Sequence, residues 1–265
     1  RAVAGHCNGS LQPFRTLVDG GLWRFCDCLW RIVAATKTGN VFVSWILYAA
    51  VFGAFFLTHS LPVRPGSKRW LVKRLGPRGF TLSYSILSLA MLAWLIVAAA
   101  NAPYVALWDQ ATWQRHVIFI GMFAVSLLVA LSIARPNPFS FGGARNERFD
   151  PKKPGLIRWT RHPLLLALTL WSALHILPNG DVAHVILFGV FALFGLFGMR
   201  IVDRRKQRLL GDTQWQFLRG LVAAAPLFTR HGSWLEIMLR LTAGVSVFAL
   251  LLVLHPIVLG VSPLP

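Results

Sequence analysis

Acidic residues are the first scarcity: nine Asp and Glu stand against 27 Lys and Arg in 265 residues, a net charge of +18. In a soluble protein that imbalance would point to nucleic acid. Here the cations fall in connections between long apolar runs, the pattern of loops facing anionic lipid, so the expected partner is a bilayer and not nucleic acid. Cysteine is equally scarce. Cys7, Cys26 and Cys28 all fall within residues 1–40; an odd count cannot pair within one chain, and no second pair completes a metal site with Cys26 and Cys28. Methionine first occurs at Met91 and the chain opens on Arg1, so residues 1–40 read as a poorly defined segment foreign to the mature protein. That segment lacks the apolar run and cleavage site of a signal peptide. Its residues 22–35 mix aromatics with Arg24 and Arg31 and read at most as lying on a membrane surface. No nucleophile elbow, HExxH or Walker motif occurs, which removes the hydrolases those motifs mark.

What is abundant is hydrophobicity. With 55% apolar and 14% charged residues and a mean hydropathy of +0.58, the chain is too apolar for an ordinary soluble domain. It predicts an all-α polytopic integral membrane helix bundle of about six transmembrane helices over residues 41–265. The first span covers residues 41–60 and ends at His59; a basic loop, 64–78, follows with Pro65, Gly66 and Pro77 as turn residues. Span two is 80–100, and a short stretch with Trp108 and Trp113 leads to span three, 117–134, which stops at the prolines of RPNP. The loop 135–161 is the longest polar connection and is expected to cover part of a site. Span four follows it and ends at the Pro178-Asn179-Gly180 turn. In span five, 183–202, Ala192, Gly195 and Gly198 recur at three-residue spacing, which lets another helix approach closely. A basic amphipathic stretch then runs to about Arg240, and residues 241–260 form the last span, carrying His255-Pro256.

The connections after spans one, three and five hold the basic residues, whereas the loop after span two has Arg115 alone and the one after span four has none. The positive-inside rule puts the first group in the cytoplasm and both termini outside.

The chain is organised around RHPLLLALTLWSALH, residues 161–175. Proline suits the first turn of a helix, so Arg161 and His162 mark the water boundary. His175 lies fourteen residues further on, roughly 21 Å along the axis. An ionisable group at that depth is costly and is by default a functional-site candidate. Neutral imidazole ligates metals and haem iron, and an apolar helix bundle is a normal place to hold a haem.

Several strings together, FFLTHSLP at 55–62, TRHPLLLALTLWSALH at 160–175, NGD at 179–181, DRRKQRLLG at 203–211 and LHPIVLGVSPLP at 254–265, resemble the NnrU family of bacterial membrane proteins. That resemblance implies a multi-pass protein of the bacterial inner membrane linked to denitrification, with respiratory or denitrification membrane proteins as partners. The family is also similar to 15-cis-zeta-carotene isomerase, a haem b protein that performs a redox-gated cis–trans isomerisation. What the likeness implies here is haem b held by two metal ligands, His59 of the His59-Ser60 pair and His175 of the Trp171 to His175 string. Where the isomerase string has a cysteine this chain has Ser172, and a hydroxyl cannot replace a thiolate on iron. On the alternating topology His59 lies toward the cytoplasmic side and His175 toward the outer side, so His59 with His162, or His175 with His255, are the easier pairs. Arg161, Arg204 and Arg205 are candidates to pair a haem propionate or a substrate anion from the cytoplasmic side, with interfacial lipid anchoring the alternative for at least two of the three. No residue is assigned a catalytic role.

Two other readings stand beside this one. GLIRWTRHP at 155–163 resembles the RHP segment of S-adenosylmethionine-dependent isoprenylcysteine carboxyl methyltransferases, although their acidic pair is absent and the next helix offers only Asp203 in a run of cations. The other is a non-enzymatic factor that handles haem or assists assembly of respiratory enzymes.

Overall fold

A computed structural model describes residues 41–229 and 232–265. The expectations placed on residues 1–40, with the three cysteines, fall outside the described residues. Within them the fold is all-α, with seven α-helices, two short 3-10 turns and a single isolated bridge between Ala106 and Asp181. The helices are α1 (Val41–Ser60), α2 (Pro65–Asn101), α3 (Thr112–Ser132), α4 (Pro163–Ile176), α5 (Val182–Leu210), α6 (Asp212–Ala224) and α7 (Trp234–Leu259). Four of these, α2, α3, α5 and α7, are long and apolar enough to cross a membrane, while α1 and the 14-residue α4 are apolar but shorter. Large apolar side chains such as Ile120, Phe197, Leu250 and Val253 stay exposed on the outer faces, the arrangement that lipid accommodates and water does not. The described chain divides into two compact units, residues 41–103 and 104–265.

The first unit is the antiparallel pair α1 and α2. Tyr48, Val51 and Phe55 recur at helical spacing and are buried, as are Phe80 and Leu95 of α2. The expected basic loop at 64–78 is mostly helix, which corrects the sequence expectation. Pro65 sits at the start of α2, where proline is tolerated, and the only break is at Gly76, whose φ of 71° only glycine adopts freely. Pro77 then opens the next helical segment. Arg74 lies over the Trp70 ring at 5.3 Å and Lys68 over Phe80 at 5.8 Å, so aromatic faces help the cations lie along the helix.

In the second unit α3 packs on both α4 and α7, α4 packs on α5, and α6 turns back beside α5. Gly195 of α5 carries the tightest of these contacts: a methyl group there would lie 3.1 Å from the Leu165 carbonyl and overlap Thr169 Oγ1. The expected small-residue stripe is therefore the α4–α5 contact. Between α3 and α7, Phe248 packs edge-on against Phe119 and Phe123 at 5.3 and 5.4 Å. The segment after span two is pinned to the α4–α5 turn. Leu107 and Trp108 donate their backbone N–H to Gly180, and Trp108 Nε1 donates to the Leu177 carbonyl at 2.9 Å.

Three boundaries differ from expectation for local reasons. α3 starts at Thr112, five residues early, because the Gln114 side chain accepts from the Ala111 backbone N–H at 2.8 Å. α5 runs unbroken through Arg204, Arg205 and Lys206 to Leu210 and ends only at Gly211, with φ 81°. The amphipathic stretch is not one piece: α6 ends at Ala224, and α7 begins at Trp234 because Ser233 caps it, accepting from the Glu236 N–H at 3.1 Å. α6 earns its place by burying Trp215 and Val222 against Phe139 and Ile157 of the 133–162 connection.

Candidate functional site

At its N-terminal end α4 begins with Pro163, so His162 takes the capping position outside the helix, with φ −122°. Its imidazole is buried, 3% exposed, and both nitrogens are engaged: Nε2 meets Asp203 Oδ1 at 2.8 Å and Nδ1 meets Ser140 Oγ at 3.0 Å. A carboxylate can only accept, so Nε2 carries a proton. The neutral ring then accepts the Ser140 hydroxyl proton at Nδ1. Neutrality agrees with the electrostatics, because burial lowers the His162 pKa more than the hydrogen bond and charge of Asp203 raise it. Arg161 grips the same carboxylate with two bonds, Nε to Oδ1 at 3.2 Å and an Nη to Oδ2 at 2.6 Å. Asn137 ties the polar loop to this array, its Nδ2 donating to the Arg161 carbonyl at 3.0 Å while its backbone N–H donates to Asn146 Oδ1 at 2.8 Å.

Ser140, His162 and Asp203 have the connectivity of a catalytic triad. They do not have its accessibility. Ser140 is 2% exposed, and Arg161 shares the carboxylate that would orient the base. The array is a polar clamp that fixes α4, α5 and the 133–162 connection to one another. In that arrangement both His162 nitrogens are engaged, while Arg161 holds Asp203 through Nε and one Nη and keeps its other Nη outside the pair.

The other end of α4 is different. His175 Nδ1 donates to the Trp171 carbonyl at 2.8 Å, and its ring lies 5.1 Å from Trp171 and 5.0 Å from Phe188. Nε2 has no hydrogen-bond partner among the described residues. A ring that spends one N–H on a backbone carbonyl and presents the other nitrogen is the usual state of a metal-ligating histidine. Nearby, Asp181 caps α5 by accepting from the His184 N–H at 3.1 Å and also meets His184 Nδ1 at 2.7 Å. His255 of α7 likewise spends Nδ1, on the Val261 carbonyl at 2.7 Å. Ser172 is fully buried and donates to the Leu168 carbonyl at 2.9 Å.

His59 belongs to the first unit. Its ring stacks on Phe55 at 5.5 Å, and Nδ1 faces Tyr84 Oη at 3.1 Å and Ser88 Oγ at 3.4 Å. Tyr84 also donates to the His59 carbonyl at 2.9 Å. Of the residues singled out in the sequence, the structure brings Arg161 and His162 together and sets His175 at the far end of the same helix. Asp203 was visible only as an isolated acid among cations, and Ser140 and Asn137 gave no signal.

The family model described as NnrU protein matches residues 46–263. The chain belongs to the NnrU family. The match spans both units and includes His59, the polar clamp, His175 and His255. No curated protein and no solved structure matches the chain.

Proposed function

We propose that this NnrU-family chain is a haem b-binding protein of the bacterial inner membrane that serves denitrification, with His175 as an axial ligand. The observation that carries the reading is the His175 ring, oriented by the Trp171 carbonyl, walled by Trp171 and Phe188, with Nε2 open. Aromatic walls of this kind suit a porphyrin face. Haem there would supply a redox-active iron, the requirement of the cis–trans isomerisation that the family likeness implies. This chain's own residues hold the tautomer and fix the ring. The family likeness names His59 for the second ligand; His255, whose Nδ1 is similarly spent, is the competing choice.

The test is the visible spectrum of detergent-purified protein, oxidised and reduced, from cells supplied with haem. The wild type is expected to show a Soret band that His175→Ala abolishes. His59→Ala and His255→Ala separate the two choices for the second ligand by which one shifts the band. A wild type with no Soret band, or a band indifferent to His175→Ala, overturns the reading.

A methyltransferase is favoured by one observation. A cavity of about 490 Å³ lies beside the polar clamp, lined by Asn137, Trp159 and Pro163 among others. Against it, both Asp203 oxygens are already occupied by Arg161 and His162, which leaves no carboxylate for a ribose. Calorimetric titration with S-adenosylmethionine decides this, and absence of binding removes it.

A further inference from the structure

Two non-glycine residues among those described have left-handed backbones, Ala134 with φ 56° and Arg145 with φ 53°. Each such residue is disfavoured because its Cβ crowds the backbone, and such strain persists where the surroundings impose it. Both line one pocket of about 350 Å³. The same pocket is lined by Arg135, Arg148 and Arg240, so four guanidiniums gather there with Glu236 as the one carboxylate lining it.

Part of this charge is committed. Arg240 Nε pairs with Glu236 at 3.0 Å, and an Nη donates to the Ala130 and Ile133 carbonyls at 3.1 and 2.8 Å, closing the C-terminal end of α3. Arg135 also meets Glu236, at 3.6 Å. Arg145 and Arg148 are exposed on the 3-10 turn, and neither pairs with a carboxylate among the described residues. The loop is braced to hold them there: Ala134 donates its N–H to the Gly142 carbonyl at 2.9 Å and Ala144 to the Arg135 carbonyl at 3.1 Å.

Glu236 and Arg240 also form one end of a second, larger cavity of about 690 Å³, which runs between α3, α4 and α7. Its walls are apolar, with Val129, Leu164, Trp171, Ala243 and Val247 among them. A polar pocket with excess positive charge therefore shares the Glu236–Arg240 wall with a hydrocarbon groove among helices that face a bilayer. We infer that this is a specific site for an anionic phospholipid of the surrounding leaflet, its phosphate on Arg145 and Arg148 and one acyl chain in the groove. Charge complementarity selects the head and the apolar walls take the chain. The groove shares Trp171 with the wall of the His175 ring, but the lipid site does not rest on haem binding there.

Native mass spectrometry of the full chain in detergent tests this, using phosphatidylglycerol and phosphatidylcholine with the same acyl chains. Phosphatidylglycerol is expected to be retained at least about tenfold more tightly, a difference of roughly 1.4 kcal/mol. Arg145→Gln with Arg148→Gln should erase that preference and leave phosphatidylcholine binding unchanged. Ala243→Phe, which fills the groove, should weaken both lipids. Arg145→Gly separates function from folding: it should raise the melting temperature by relieving the left-handed backbone while reducing the preference for phosphatidylglycerol. Equal retention of the two lipids by the wild type overturns the inference, as does an unchanged preference in the double variant. If millimolar inorganic phosphate displaces the lipid and Ala243→Phe binds as the wild type does, the pocket takes soluble anions and the lipid assignment is wrong.

Discussion

His162 and His175 show how differently one residue type behaves at the two ends of a helix. His162 has both nitrogens satisfied inside the protein, and burial pulls its pKa below the ordinary 6.5, with Arg161 adding to the lowering. A histidine depressed in the folded state favours folding fully above its unfolded value and loses that contribution as pH falls toward the folded one. The melting temperature should therefore drop between about pH 7.5 and about pH 5.5. His162→Gln should be less stable at the upper pH and show a shallower dependence, as read by thermal unfolding in detergent. An equal slope in the variant would mean that other groups govern the dependence. Asp203→Asn removes the charge from a carboxylate gripped by Arg161 and His162 and should cost about 2 kcal/mol, since bonds to charged groups are worth more than neutral ones. His175 lacks such support on Nε2, and on the haem proposal its removal should change the visible spectrum far more than stability.

At the scale of elements, α4 and α5 carry the polar clamp and the His175 ring, and their contact runs through Gly195. Gly195→Leu would drive its side chain into Thr169 and the Leu165 carbonyl. Overpacking of this kind costs about 1–3 kcal/mol and should disturb both ends of α4 at once. Limited proteolysis and the pH dependence above would report one end and, if the proposed haem is bound, the Soret band the other. This contact was legible in the sequence, because glycines at three-residue spacing in an apolar run have few other uses. The helical course of residues 65–76 was not. Pro65, Gly66 and Pro77 are turn signals in isolation, but Pro65 occupies the one helical turn that tolerates it, and a single glycine at 76 absorbs the whole break. The union of Arg161, His162, Asp203 and Ser140 was half visible. Arg161 and His162 stood out as polar groups beside an apolar helix; their partners lie 22 and 41 residues from His162, a separation at which no periodicity carries information.

Taken whole, the described chain is an all-α membrane protein in two compact units, and the NnrU match extends over both. Hydropathy alone was enough for the class and for most spans, because a bilayer admits few solutions for a chain of this composition. What hydropathy cannot report is how firmly a polar connection is built. The 133–162 segment is the longest one, and by length it is where a reporter tag for mapping membrane topology would ordinarily be inserted. It is a poor choice. Asn137, Phe139 and Ser140 are buried, and a side chain on Gly143 would press on the Arg135 carbonyl and the Asn137 N–H at 2.9 and 3.1 Å. A short epitope inserted after Gly143 is expected to abolish accumulation of the protein, measured by immunoblot of membranes, whereas the same epitope after Pro265 is expected to leave it intact. Topology maps of such proteins that rest on tags in long basic loops would then report the fate of a broken clamp instead of the side of the membrane on which the loop resides.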